Sequence, residues 1–171
     1  LEGGCYCGAV RYVAEGEPVL KAQCHCRTCQ TFTGGAPNTF MAMPAEGFRY
    51  TKGEVKSYAR PDKANAVTRE FCANCGTQIV ARRPGFPPVV LKVGTLDDPS
   101  LFGGPQMAIF TEDAQPFHLV AEGVMKFAQL PVPGQSRVHI LPITILRHQK
   151  AARWYFLTGV GHLQERSVFL A

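Results

Sequence analysis

Cys24-His25-Cys26-Arg27-Thr28-Cys29 (CHCRTC) places three thiols within six residues, at C-x-C-x-x-C spacing. Thiols this close cannot staple a domain to itself. Their thiolates can converge on one soft metal ion, with zinc the default expectation. A structural zinc site normally closes with four protein ligands, whereas three leave a position at which something else can bind. Upstream, residues 19–24 (VLKAQC) read as a strand that carries the thiols to its end and into the loop beyond. Downstream, Thr33-Gly34-Gly35-Ala36-Pro37 is a connection where the backbone can approach a ligand closely.

Four further cysteines give this segment its meaning. Cys5 and Cys7 are spaced C-x-C, and Cys72 and Cys75 are spaced C-x-x-C before Gly76. The second pair has the form of a zinc knuckle, two thiols on a tight turn with a glycine free to take positive φ. Together these four make the closed tetrahedral set of a structural zinc, which would tie the N-terminal region to the middle of the chain. Cys24, Cys26 and Cys29 then remain as the three-ligand site. A different partition, Cys26 and Cys29 with Cys72 and Cys75, would strand the other three thiols. Seven cysteines at these spacings fit metal chelation in a reducing compartment, and so a cytoplasmic setting, better than a disulfide framework.

The remaining pattern is that of a mainly β protein. Residues 8–14 (GAVRYVA) form a strand returning through Glu15-Gly16-Glu17-Pro18 into residues 19–24. Residues 38–43 (NTFMAM) form another, and 48–51 (FRYT) with 55–59 (VKSYA) read as a hairpin around Lys52-Gly53-Glu54. Residues 66–71 lead into the knuckle and 78–82 return from it. Residues 88–93 (PVVLKV) and 107–111 (MAIFT) read as buried strands, and Leu96-Asp97-Asp98-Pro99 as a turn or short helix start. Residues 117–127 close the body, with His118 read as a structural residue in an apolar strand. The segment from Pro131 to Gly134 marks a boundary between a zinc-binding domain, 1–133, and a basic extension, 134–171.

Composition narrows the class. Of 171 residues, 46% are apolar and 18% charged, a globular balance with 17 Gly and 13 Pro favouring turns and short strands. No run is long and apolar enough to span a membrane, and residues 1–5 lack the basic flank and apolar stretch of a signal peptide. The net charge of +5 is uneven. Residues 1–133 carry 13 Lys and Arg against 12 Asp and Glu, residues 134–171 carry 5 against 1, so no nucleic-acid footprint is expected in the body.

The order G-x-C-x-C-G (Gly3 to Gly8), C-H-C-x-x-C (Cys24 to Cys29) and F-C-x-x-C-G (Phe71 to Gly76), followed by Gly94-Thr95-Leu96-Asp97-Asp98-Pro99, resembles the glutathione-dependent formaldehyde-activating enzyme (GFA) family, which includes centromere protein V. The resemblance spans roughly residues 3–133. It implies a zinc-bound β-tent of short antiparallel strands holding two zinc ions. The structural ion falls to Cys5, Cys7, Cys72 and Cys75, and the catalytic one to Cys24, Cys26 and Cys29. The activity it implies is that of a carbon–sulfur lyase run in reverse, with glutathione as co-substrate adding to formaldehyde to give S-hydroxymethylglutathione. The expected partners are therefore a small-molecule thiol and an electrophile, with no membrane.

Arg27, Thr28, Gly34 and Gly35 flank the three-thiol segment as candidates for meeting glutathione, with Gln30 and the Arg82-Arg83 pair as further candidates for its carboxylates. His25 alternates away from its neighbours and is read as a possible acid–base or supporting group. Two other readings stay open: a non-enzymatic zinc-stabilised binding module, and the same chemistry directed at an epoxide or larger aldehyde.

Overall fold

Two β-sheets build the protein in a computed structural model that describes residues 1–131. The extension from residue 134 onward lies outside the described residues. The first sheet is β1 (Glu2–Gly4), β2 (Arg11–Ala14) and β5 (Phe48–Lys52), in that order and antiparallel. The second holds β3 (Leu20–Cys24), β4 (Asn38–Met43), β6 (Val55–Tyr58), β7 (Thr68–Cys72), β8 (Gln78–Arg83), β9 (Phe86–Lys92), β10 (Met107–Ile109) and β11 (Met125–Lys126). Its order is β11-β10-β3-β4-β9-β8-β7-β6. One short helix, α1 (Arg27–Thr33), follows β3.

The central strands explain themselves from sequence. In β4, Phe40 lies in one apolar cluster, while Met41 and Met43 lie in another on the opposite face. A strand covered on both faces needs no polar alternation, which is why NTFMAM and PVVLKV read as continuous apolar runs. Tyr12, Ala14 and Phe48 of the first sheet, with Val10 just before β2, pack with Met41, Met43, Ile79, Val89 and Leu91 of the second, and this is the larger core. Each fully buried Leu, Ile or Met there contributes about 1.5–3 kcal/mol. Ala22, Cys24, Phe40 and Ile109 form the smaller core on the other face, with Cys26 and Cys29 against it.

Several pairings depart from the sequence reading. β5 and β6 are no hairpin: β5 pairs with β2 in the first sheet, and β6 pairs with β7 in the second. β2 and β3 are likewise divided between the sheets. Nor is every pair antiparallel, since β10 runs parallel to both β3 and β11. The segment after Cys26 is helical rather than a loop. Residues 117–124 are irregular, so His118 stands in a turn and not in a strand. Asp98 does cap a 3₁₀ turn at Pro99–Phe102, accepting from the Ser100 N–H at 3.0 Å.

Candidate metal centre

All seven thiols gather into two groups. The Sγ atoms of Cys5, Cys7, Cys72 and Cys75 lie within 4.8 Å of one another, and so do those of Cys24, Cys26 and Cys29. In the first group Cys5 and Cys7 stand 3.5 Å apart and Cys7 and Cys72 3.8 Å apart. A tetrahedron with metal–sulfur bonds of about 2.3 Å has edges of about 3.8 Å, so the donor set fits zinc. Local backbone builds it. Gly8 takes φ +70° after the first pair and Gly76 φ +73° after the second, folding each into a tight turn. N–H groups aim at the sulfurs: Val10 N donates to Cys5 Sγ at 3.2 Å and Asn74 Nδ2 to Cys7 Sγ at 3.3 Å. The Thr77 hydroxyl, 3.2 Å from Cys75 Sγ, leads the interactions that draw this thiol down to about 5.

The second group straddles the end of β3 and the start of α1. Cys24 ends the strand, Cys26 is the N-cap, and Cys29 lies in the first turn of the helix. Cys26 Sγ accepts from the Cys29 N–H at 3.4 Å. Hydrogen bonds from Cys24 and then Cys29 draw Cys26 down to about 2, and the same contacts with burial push Cys24 far up. Three sulfurs converging in this way form a donor set suited to a soft divalent metal.

His25 is fully buried and does not join them among the described residues. The Gln115 N–H donates to His118 Nδ1 at 3.1 Å, which makes that nitrogen an acceptor and leaves Nε2 of His118 to donate to Gly35 O at 2.8 Å. Nδ1 of His25, 3.1 Å from His118 Nδ1, is then the donor of the pair. Burial, aided by His118, holds the His25 pKa down.

The flanking candidates are dispersed. Arg27 and Thr28 are exposed at the start of α1, and the Arg27 guanidinium bonds Gln30 Oε1. Gly34 is the left-handed C-cap of α1, and Gly35 anchors His118. Gln30 is buried at 2% exposure and its amide serves the backbone, so it is no surface contact. Arg82 donates to Glu70 Oε1 at 2.5 Å, and Glu70 also accepts from the Tyr50 hydroxyl.

A cleft of about 430 Å³ is lined in part by Phe32, Asn38, Thr77, Gln78, Lys92 and Thr95, with no cysteine in its lining. Lys92 was missed in the sequence, where it is one polar residue in an apolar run. It stands opposite Phe40 on β4, two residues from Asn38, which itself stands opposite Cys24. The lysine crosses this diagonal to donate to Asn38 Oδ1 at 2.6 Å. Burial lowers its pKa, while the charges of Cys29, Cys24 and Cys26 oppose that. The signal available was period two: Val90 and Lys92 share a face, and a charge there needs a reason.

Residues 1–113 match the model of the glutathione-dependent formaldehyde-activating enzyme family. The chain belongs to that family. The matched span holds both GFA cysteine groups and the cleft. A Halomonas elongata protein, named provisionally as a glutathione-dependent formaldehyde-activating enzyme, is 28% identical over 100 residues. These cover 53% of this GFA-family chain and 60% of that protein, so the chain spans about three fifths of that relative's length. A Rhodobacter sphaeroides protein of known structure is similar over 61% of this chain and 97% of its own, at 22% identity and a TM-score of 0.49. No helix among the described residues is long and apolar enough to cross a membrane.

Proposed function

We propose that this protein adds glutathione, or a similar thiol, to formaldehyde or another small electrophile at a zinc ion held by Cys24, Cys26 and Cys29. One observation carries the reading: three sulfurs lie within 4.8 Å of one another, and no other His, Cys, Asp or Glu among the described residues, His25 included, joins that group. Cys5, Cys7, Cys72 and Cys75 hold a second zinc whose work is to fix the fold.

Bound at the three thiolates, zinc would supply an open position where an incoming thiol loses its proton at neutral pH. The chain's own residues do the rest. Cys24, Cys26 and Cys29 keep that position on the side of β3 and α1, and the cleft past Asn38 seats the body of the thiol compound. Arg27 and Thr28, exposed at the start of α1, remain available to its outer end. In the addition the sulfur lone pair forms the S–C bond and the carbonyl π pair moves to oxygen. That oxygen then takes up the proton the thiol gave up, so nothing is oxidised or reduced.

The test is formaldehyde consumption by the zinc-loaded protein as glutathione is titrated in. Consumption above the spontaneous reaction in buffer, abolished by Cys26→Ala, is expected. A rate equal to buffer overturns the formaldehyde assignment.

A further inference from the structure

The cleft has a charge of its own. None of the residues that line it is acidic. Lys92 is the one formal charge in that lining. Its ammonium has three donors, and its one side-chain bond among the described residues goes to Asn38. Arg69 adds a second cation nearby, its Cζ 4.1 Å from the centre of the Phe32 ring on the cleft wall. Neither cation forms an ion pair among the described residues. The same wall holds Gln78, whose Oε1 is buried without a partner and can accept from a donor group.

We propose that Lys92 is the binding residue for a carboxylate of the thiol substrate, so that the cleft selects anionic thiol compounds over neutral ones. This rests on the reading of the three-thiol site given above. The geometry sets the layout: Lys92 reaches Asn38, Asn38 stands opposite Cys24, and a carboxylate on the lysine's free donors lies one strand from the sulfurs. A small molecule bearing both a thiol and a carboxylate can thus engage both points. A cation placed in a partly enclosed cleft acts through a lower dielectric than one on the open surface, so its preference for an anion is larger. The wall from Gly76 to Gln78 continues directly from the knuckle thiols, so the four-cysteine site also shapes the seat for the ligand.

The alternative role for Lys92 is to offset the negative charge of the three thiolates. Calorimetric titration of the zinc-loaded full chain separates the two, using S-methylglutathione, whose sulfur has no proton to lose, and its diethyl ester. Zinc content is measured in every variant. The expected result is at least tenfold tighter binding of the free acid than of the ester. That preference disappears in Lys92→Met with zinc content unchanged and is retained in Lys92→Arg. Asn38→Asp, which leaves the lysine in place but occupies its charge, weakens the preference as well, and it serves if Lys92→Met does not fold. Equal affinity for acid and ester in the unaltered chain overturns the proposal, as does a preference that survives Lys92→Met or zinc lost from that variant. A chain that consumes no formaldehyde yet keeps the Lys92-dependent preference loses the reaction and keeps the anion subsite. One that reacts without the preference loses only the subsite.

Discussion

The side-chain amide of Gln30 donates to the backbone oxygen of His25 at 2.5 Å, fastening α1, which carries Cys29, to the segment that carries Cys24 and Cys26. The same Nε2 donates to Asp113 O at 2.8 Å, and the side chain is 2% exposed. The buried His25 carbonyl therefore takes its side-chain donor from this amide, whereas Asp113 O also accepts from Gln115 Nε2 at 3.1 Å.

Gln30→Leu fills the space but takes the side-chain donor from the buried His25 carbonyl, while Asp113 O keeps the one from Gln115. The expected cost is about 1–3 kcal/mol of stability, read from denaturant titration. Gln30→Glu keeps the shape and, when ionised, has no proton to give, so it is expected to cost at least as much. A harmless Gln30→Glu would mean that the residue matters only for packing.

The two thiol groups are expected to fail differently. Cys72 is buried at 1% exposure beside the larger core, whereas Cys26 is partly exposed at the start of α1. Under the zinc assignment, Cys26→Ala lowers the metal content from two ions per chain to one and keeps a cooperative unfolding transition. Cys72→Ala loses the transition itself, since the four-sulfur site ties residues near the N-terminus to the end of β7. Elemental analysis with thermal unfolding reads both. Identical behaviour of the two variants would contradict the division of labour.

Tyr12 provides an alkaline signature. Burial pushes its phenol up to about 12, with the hydrogen bond to Thr95 opposing that, and Tyr50 is raised by burial and by Glu70. A folded-state pKa above the unfolded value near 10 means that the stability is fully present below about pH 10. It declines as pH rises through the interval from there to about 12. Phenolate absorbance and stability measured against pH should show this together, and Tyr12→Phe should flatten part of the decline. The same variant costs about 1 kcal/mol at neutral pH, because the hydrogen bond between the Tyr12 hydroxyl and Thr95 Oγ1 at 2.9 Å is lost.

Gly3 opens the first cysteine motif for a steric reason. A Cβ there would lie 2.2 Å from Thr95 O and 2.3 Å from the Tyr12 hydroxyl, where β1 bridges to Leu96. Gly3→Ala must therefore push β1 off its neighbours, and since Cys5 follows within two residues the four-sulfur group moves with it. The expected readouts are a loss of 1–3 kcal/mol in stability, the range of overpacked sites, and weaker retention of metal against a chelator. An unchanged midpoint in both would show that β1 does not hold this corner.

Much of this was legible in the order of residues because it is local. C-x-C and C-x-x-C spacings bring thiols together over a single turn, and counting seven of them separated a set of four from a set of three, the grouping the tertiary structure also makes. Strand positions followed from apolar runs and turn glycines, and the run NTFMAM coincides with β4 residue for residue.

Partnership was not legible, because a strand's hydrogen-bonding edge accepts any extended neighbour. Hence the short stretch Lys52-Gly53-Glu54 read as a hairpin turn, yet it separates β5 and β6 into different sheets. Gln30 looked like a surface contact until the fold brought Asp113 to it, and His25 and His118, 93 positions apart, met only in three dimensions. CHCRTC by itself determined that three thiols could share one metal. Only the pairing of β3 with β4 and β4 with β9 decided what stands near them: a lysine that reads in sequence as an interruption of an apolar strand lies two strands from Cys24 and reaches back to Asn38 on the strand between, because side chains opposite or diagonal across a sheet share a face.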